Sequence, residues 1–135
     1  MAIDRESWEK VQNDVEMIKT RVSSLDRIAV LQNKDVIIAD LKEVIGSSIL
    51  RAAVLHLTVE EVYRSDLADA LGIDVRNLSK FIGPLMGNKG YLNQFRHEGR
   101  VSYRRDEKID LIGFEDIDTF ASLIEKWKTK RQSEQ

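Results

Sequence analysis

The sequence predicts a mainly α-helical fold carrying one small β-hairpin, on three observations. Apolar residues recur at steps of three and four over most of the chain, the spacing of one helix face. Between Ser65 and Leu85 two such patterns are short and meet at Gly72-Ile73-Asp74, so a sharp turn joins two helices there. From Tyr91 to Arg105, β-forming residues flank His97-Glu98-Gly99-Arg100, in which Glu98-Gly99 suits a tight turn.

Composition sets the frame for these elements. In 135 residues, 42% hydrophobic content supplies one core with an appendage, and a charged share of 33% fits long exposed helical faces. No apolar run is long enough to span a bilayer. Asp4, Arg5, Glu6, Glu9 and Lys10 stand where a secretory signal would need an apolar stretch, so a cytoplasmic protein is expected. The absence of cysteine excludes disulfides, thiolate zinc sites and a cysteine nucleophile. Gly87-Asn88-Lys89-Gly90 lacks the length and the Ser or Thr of a Walker loop, and GxGxxG, GxSxG and HExxH do not occur. His56 and His97 stand far apart, and paired carboxylates fall on helix faces where solvation explains them. The expectation is a protein that is not an enzyme, with no catalytic residue, no metal ligand and no cofactor.

The first element is a helix running to about Ala29. Trp8, Val11, Val15, Ile18, Val22, Leu25 and Ala29 keep the alternating step of a coiled-coil seam for about three heptads. Its other faces are polar, so the seam needs a cover: a second copy, making a homodimer, or the chain's own domain. Ile28 and Leu31 widen the stripe near its end, and Gln32-Asn33-Lys34 breaks it. Asp35 then N-caps a helix over Val36 to Ile45, which Gly46 stops. Ser47 or Ser48 caps the next, through Leu57, apolar on nearly every side and therefore buried; His56 within it reads as a hydrogen-bonded or edge residue. Thr58-Val59-Glu60-Glu61 has capping-box form, and a short strand at Val62-Tyr63 is the competing assignment. Glu60 and Glu61 read as solvated or capping residues.

Ser65 is placed to N-cap a helix that buries Leu67, Ala68 and Leu71, with Gly72 in the left-handed conformation that ends it. Asp74 caps its successor, which turns Val75, Leu78, Ile82 and Leu85 inward and Arg76, Asn77, Ser79, Lys80 and Gly83 outward. Pro84 removes a donor and disfavours helical geometry at Gly83, so that helix kinks or ends nearby. Beyond the hairpin, a last helix begins at Glu115 or Asp116, with Ile117, Phe120, Ala121, Ile124 and Trp127 as its stripe. Lys126, Lys128, Lys130 and Arg131 complement its C-terminal dipole, and Gln132 to Gln135 fray.

The formal net charge is −2, yet between Arg76 and Arg105 stand seven basic residues against a single acid, Glu98. A basic block inside an otherwise acidic chain is the footprint of a surface that meets phosphates, the alternative being a solvated hairpin face.

The order SDLADALGI, DVRNLSKFIGPL, GNKGYL and a basic hairpin resembles the winged helix-turn-helix domains of MarR-like and ArsR-like bacterial and archaeal transcription regulators, over roughly residues 47–114. The resemblance implies a positioning helix at Leu67 to Leu71, a recognition helix at Arg76 to Leu85 and a wing at Asn93 to Arg105. It implies a dimeric regulator on double-stranded DNA, faced by Ser65, Arg76, Asn77, Ser79, Lys80, Lys89, Arg96, His97, Arg100, Arg104 and Arg105. Wing arginines and helix ends would anchor phosphates, and Arg76, Asn77, Ser79 and Lys80 would meet base edges. The chain then divides into a coiled-coil dimerisation helix at 1–33, a winged helix-turn-helix domain at 34–114, and a C-terminal helix with its tail at 115–135. Two other functions fit the same residues: a winged-helix interaction or assembly module that never touches DNA, and a centromere- or origin-binding protein of a plasmid or virus.

Overall fold

A computed structural model describes residues 27–133. Residues 27–32 are helical and end in a turn at Asn33, whose side-chain Nδ2 donates to the Ala29 carbonyl at 2.8 Å. That amide closes the preceding turn, and helix α1 (Lys34–Ile45) follows with no side-chain cap; Asp35 lies inside its first turn instead of capping it. Gly46, at φ +56°, stops α1 as its position suggested. Helix α2 (Ile49–Leu57) is capped by Ser48, whose hydroxyl accepts from the Arg51 amide, and it buries Ala52, Ala53, Val54 and Leu55.

Thr58 does not open a capping box. Its buried hydroxyl donates back to the Val54 carbonyl at 2.8 Å, sealing the end of α2, and the chain continues as strand β1 (Val62–Tyr63). β1 runs directly into helix α3 (Arg64–Leu71), so the N-cap is Tyr63, in extended geometry, and no side chain caps the helix. Ser65 is therefore not the N-cap the sequence suggested; it lies exposed in the first turn. The cause is strand pairing, since Tyr63 must stay extended to face Ser102 and the helix can only start after it.

α3 buries Leu67, Ala68 and Leu71 and ends at Gly72, φ +69°. The Asp74 carboxylate accepts from the Arg76 amide at 2.9 Å and opens a helical segment in three pieces: a 3₁₀ turn (Val75–Asn77), helix α4 (Ser79–Ile82) and a 3₁₀ turn (Gly83–Leu85). The α-helix ends at Ile82 near Pro84, as expected, but Gly83 keeps helical geometry at φ −52° and ψ −50°, against the expectation that Pro84 would move it out of that region. Leu78, Ile82 and Leu85 are buried, but Val75 is 37% exposed and not part of the core. Three residues per turn in the 3₁₀ piece rotate Val75 off the Leu78–Ile82 face.

Strands β2 (Leu92–His97) and β3 (Arg100–Arg105) form an antiparallel hairpin in the register His97 to Arg100 through Leu92 to Arg105, and β1 pairs with the other edge of β3. Both turn residues have positive φ, 51° at Glu98 and 81° at Gly99, the requirement of a two-residue hairpin turn that follows the strand twist. Helix α5 (Glu107–Leu111), capped by Asp106, leads to Gly113 in the left-handed region and a 3₁₀ turn (Phe114–Asp116). Ile117 is extended after it, so the last helix, α6 (Asp118–Ser133), starts later than Glu115 or Asp116. The fold is mainly α with a small three-stranded antiparallel sheet in the order β1-β3-β2. Leu41, Leu55, Leu67, Leu78, Tyr103, Ile109, Phe114 and Phe120 form the centre of one core, in which the Phe114 and Phe120 rings stack at 4.8 Å. Among the described residues no helix is long and apolar enough to cross a membrane.

Candidate nucleic-acid interface

The basic residues of 76–105 divide according to the face of the element that carries them. Side chains alternate along a strand, so Arg100 and Arg104 share one face of β3 with its buried Ser102, while Arg105 shares the other with Val101 and Tyr103. That second face packs on the core, and Arg105 is only 6% exposed. Its guanidinium donates to Asp110 at 2.7 Å, to the Leu55 carbonyl at 3.2 Å and to Glu115. Burial raises the Glu115 pKa, and the Arg105 hydrogen bond and charge outweigh that, holding the carboxyl below its ordinary range. His56 adds its Nδ1 at 3.6 Å from Glu115 and its ring edge to Trp127. Arg105 thus ties the base of the hairpin to α2, α5 and the turn before α6, and cannot reach a phosphate; its inclusion in the DNA-facing set is corrected.

Three more of the expected residues carry acidic partners. Arg76 pairs with Asp74 at 3.0 Å, and that hydrogen bond keeps the Asp74 carboxyl below its usual range. The pair is largely solvent-exposed, so exchanging Asp74 for a phosphate costs little. Lys89 bonds Asp40 of α1 at 2.8 Å, and Tyr91 donates its hydroxyl to the same carboxylate, which the two together hold below the usual range. His97 Nε2 lies 2.6 Å from Glu61, which also accepts from Ser102. Glu61 is exposed, as expected, and in addition it ties the residue before β1 to the hairpin; the Ser102 bond foremost keeps its pKa low.

Lys80, Arg96, Arg100 and Arg104 remain, all exposed and without an ion pair to any described residue. Arg96 shares the core-side face of β2 but lies beyond the core, near the hairpin tip. Arg100 stacks 3.7 Å above the Tyr63 ring, an arrangement that fixes the guanidinium plane while leaving its in-plane donors available. Tyr63, which sequence reasoning did not single out, is found by register: it faces Ser102, two residues from Arg100 on the same face. A cleft of about 300 Å³ lined by Tyr63, Arg64, Ser65, Val75, Gly99 and Arg100 joins the start of α3, the first 3₁₀ turn and the hairpin tip. Asn77, Ser79 and Lys80 are exposed on the side of this helical segment away from Leu78 and Ile82. Amide, hydroxyl and ammonium groups so placed can donate to acceptors on a base edge or a phosphate.

Of the seam positions, Trp8, Val11, Val15, Ile18, Val22 and Leu25 lie outside the described residues. Ala29 is exposed, beside Ile28 at 50% and Leu31 at 53% exposure. No protein-family model matches the chain, and a search among curated proteins finds no match either.

Proposed function

We propose that this chain is a winged helix-turn-helix protein that binds double-stranded DNA as a homodimer and regulates transcription. The observation that carries the reading is the exposure of Lys80, Arg96, Arg100 and Arg104 without an ion pair to a described residue, together with the exposure of Asn77 and Ser79. The succession of strand β1, α3, left-handed turn, α4 and hairpin supports the same reading, because it is the order of a positioning helix, a recognition helix and a wing. In this account the wing cations hold phosphates, and Asn77 and Lys80 enter the major groove. The exposed Ile28 and Leu31 beside Ala29 support pairing of two chains through the N-terminal seam. The protein then acts in the cytoplasm, on the nucleoid, without a catalytic residue or cofactor.

The acids beside Arg76, Lys89 and His97 favour a second reading, in which this face meets a protein of mixed charge. Selection from randomised duplexes, with the parent and Asn77→Ala compared, separates the two. An Asn bonding adenine through two edge atoms contributes about 1–3 kcal/mol of discrimination, so the variant should lose preference at one position per half-site and keep its non-specific affinity. Identical preferences in parent and variant would remove Asn77 from base reading. Recovery of no duplex, with salt-insensitive capture of a protein partner, would support the second reading.

A further inference from the structure

We infer that the outward face of the three-stranded sheet binds single-stranded DNA, stacking an unpaired base on Phe95 between two arginines. Strand register builds this site. Phe95 of β2 pairs with Ser102 of β3, so its two cross-strand diagonal neighbours are Arg100 and Arg104, each about 7–8 Å away and on the same face, opposite the core. All three side chains are exposed, Phe95 at 40%, and neither guanidinium makes an ion pair to a described residue. An aromatic ring in the middle of a strand, outside the core, is contact area that the fold itself does not use.

A polynucleotide supplies what this trio takes, a planar ring with a phosphate on either side of it. In a duplex both faces of a base are covered by stacked neighbours, so only an unpaired base can offer one to Phe95. Arg100 is held ready by its stack 3.7 Å above Tyr63. Charge is complementary: on the hairpin Arg96, Arg100 and Arg104 are exposed against one exposed acid, Glu98 at the turn. Two further acids border the face, and both are engaged: Glu61 with His97 at 2.6 Å and with Ser102, and Asp106 with the Asn93 amide at 3.0 Å. Those bonds also occupy the polar side chains that could reward a 2′-hydroxyl, which favours DNA over RNA. The site goes beyond the duplex reading: it shares Arg100 and Arg104 with that reading but turns on Phe95, which the duplex does not need.

The test uses the full chain and a fluorescein-labelled strand of about twelve thymidines, which cannot pair with itself, followed by anisotropy at low salt. The parent should bind it saturably and Phe95→Ala about 10-fold more weakly. Phe95→Tyr should bind like the parent and Phe95→Leu like Phe95→Ala, because apolar area without a π-face does not stack. Arg104→Ala should lower the slope of log affinity against log salt by about 0.7, the share of one phosphate on a single strand. Circular dichroism should report a parental fold in each variant, and Phe95→Ala should leave affinity for a duplex unchanged. No saturable binding of the strand, equal affinity in parent and Phe95→Ala, full retention in Phe95→Leu, or tighter binding of the same strand built on ribose would overturn the proposal. Failure of the parent to bind any duplex would fall on the duplex reading and leave this outcome untouched.

Discussion

Arg104 and Arg105 are neighbours in sequence and opposites in role, because adjacent residues of β3 point to opposite faces of the sheet. Alternation was readable beforehand; which face meets the core was not, since that depends on α2 and α5 packing beneath β3. Removing Arg105 leaves Asp110 and Glu115 without their cation, and both acids are about one-third exposed and can partly rehydrate. Arg105→Leu should therefore destabilise by about 2–3 kcal/mol, below the full penalty of a broken buried pair. Arg104→Ala should change stability by less than about 0.5 kcal/mol and lower the salt slope of DNA binding by about one. Urea unfolding and binding titrations on the two variants check both statements. An unstable Arg104→Ala beside a stable Arg105→Leu would reverse the assignment. Glu61, His97 and Lys89 teach the same lesson from the acidic side: their pairings join residues 36 to 49 positions apart, a separation that no local pattern encodes.

Among the elements, α2 and the hairpin were legible because local chemistry decides them. Nine residues apolar on nearly every side have only the core to occupy, and Glu98-Gly99 between β-formers has only a tight turn to make. The start of α3 and the position of Val75 were not legible, because pairing of Tyr63 with Ser102 sets the first and the 3₁₀ winding after Asp74 sets the second. The turn itself carries a measurable cost: Glu98 holds φ 51°, where a residue with a long side chain is strained and Asn is tolerated. Glu98→Asn should raise stability by about 0.5 kcal/mol, seen as a higher thermal midpoint with an unchanged transition shape. A lower midpoint would mean that Glu98 makes a contribution beyond the turn.

At the scale of the whole molecule, the account joins a described domain to a seam that, apart from Ala29, lies outside the described residues, so assembly is tested by substitution. Val15→Glu should place a charge in an apolar interface, at a cost the dimer avoids only by separating. Light scattering should then give a monomer with parental helicity by circular dichroism; a parent that is itself monomeric, or a variant that stays dimeric, would assign the seam to another surface. The DNA-binding reading meets its most direct test in affinity for a duplex as salt is varied. Lys80, Arg96, Arg100 and Arg104 are four candidate phosphate contacts per protomer, so log affinity against log salt should be linear, with a slope between about −3.6 for one protomer and about −7 for a dimer. No duplex binding at low salt, or a slope near zero, would contradict the account.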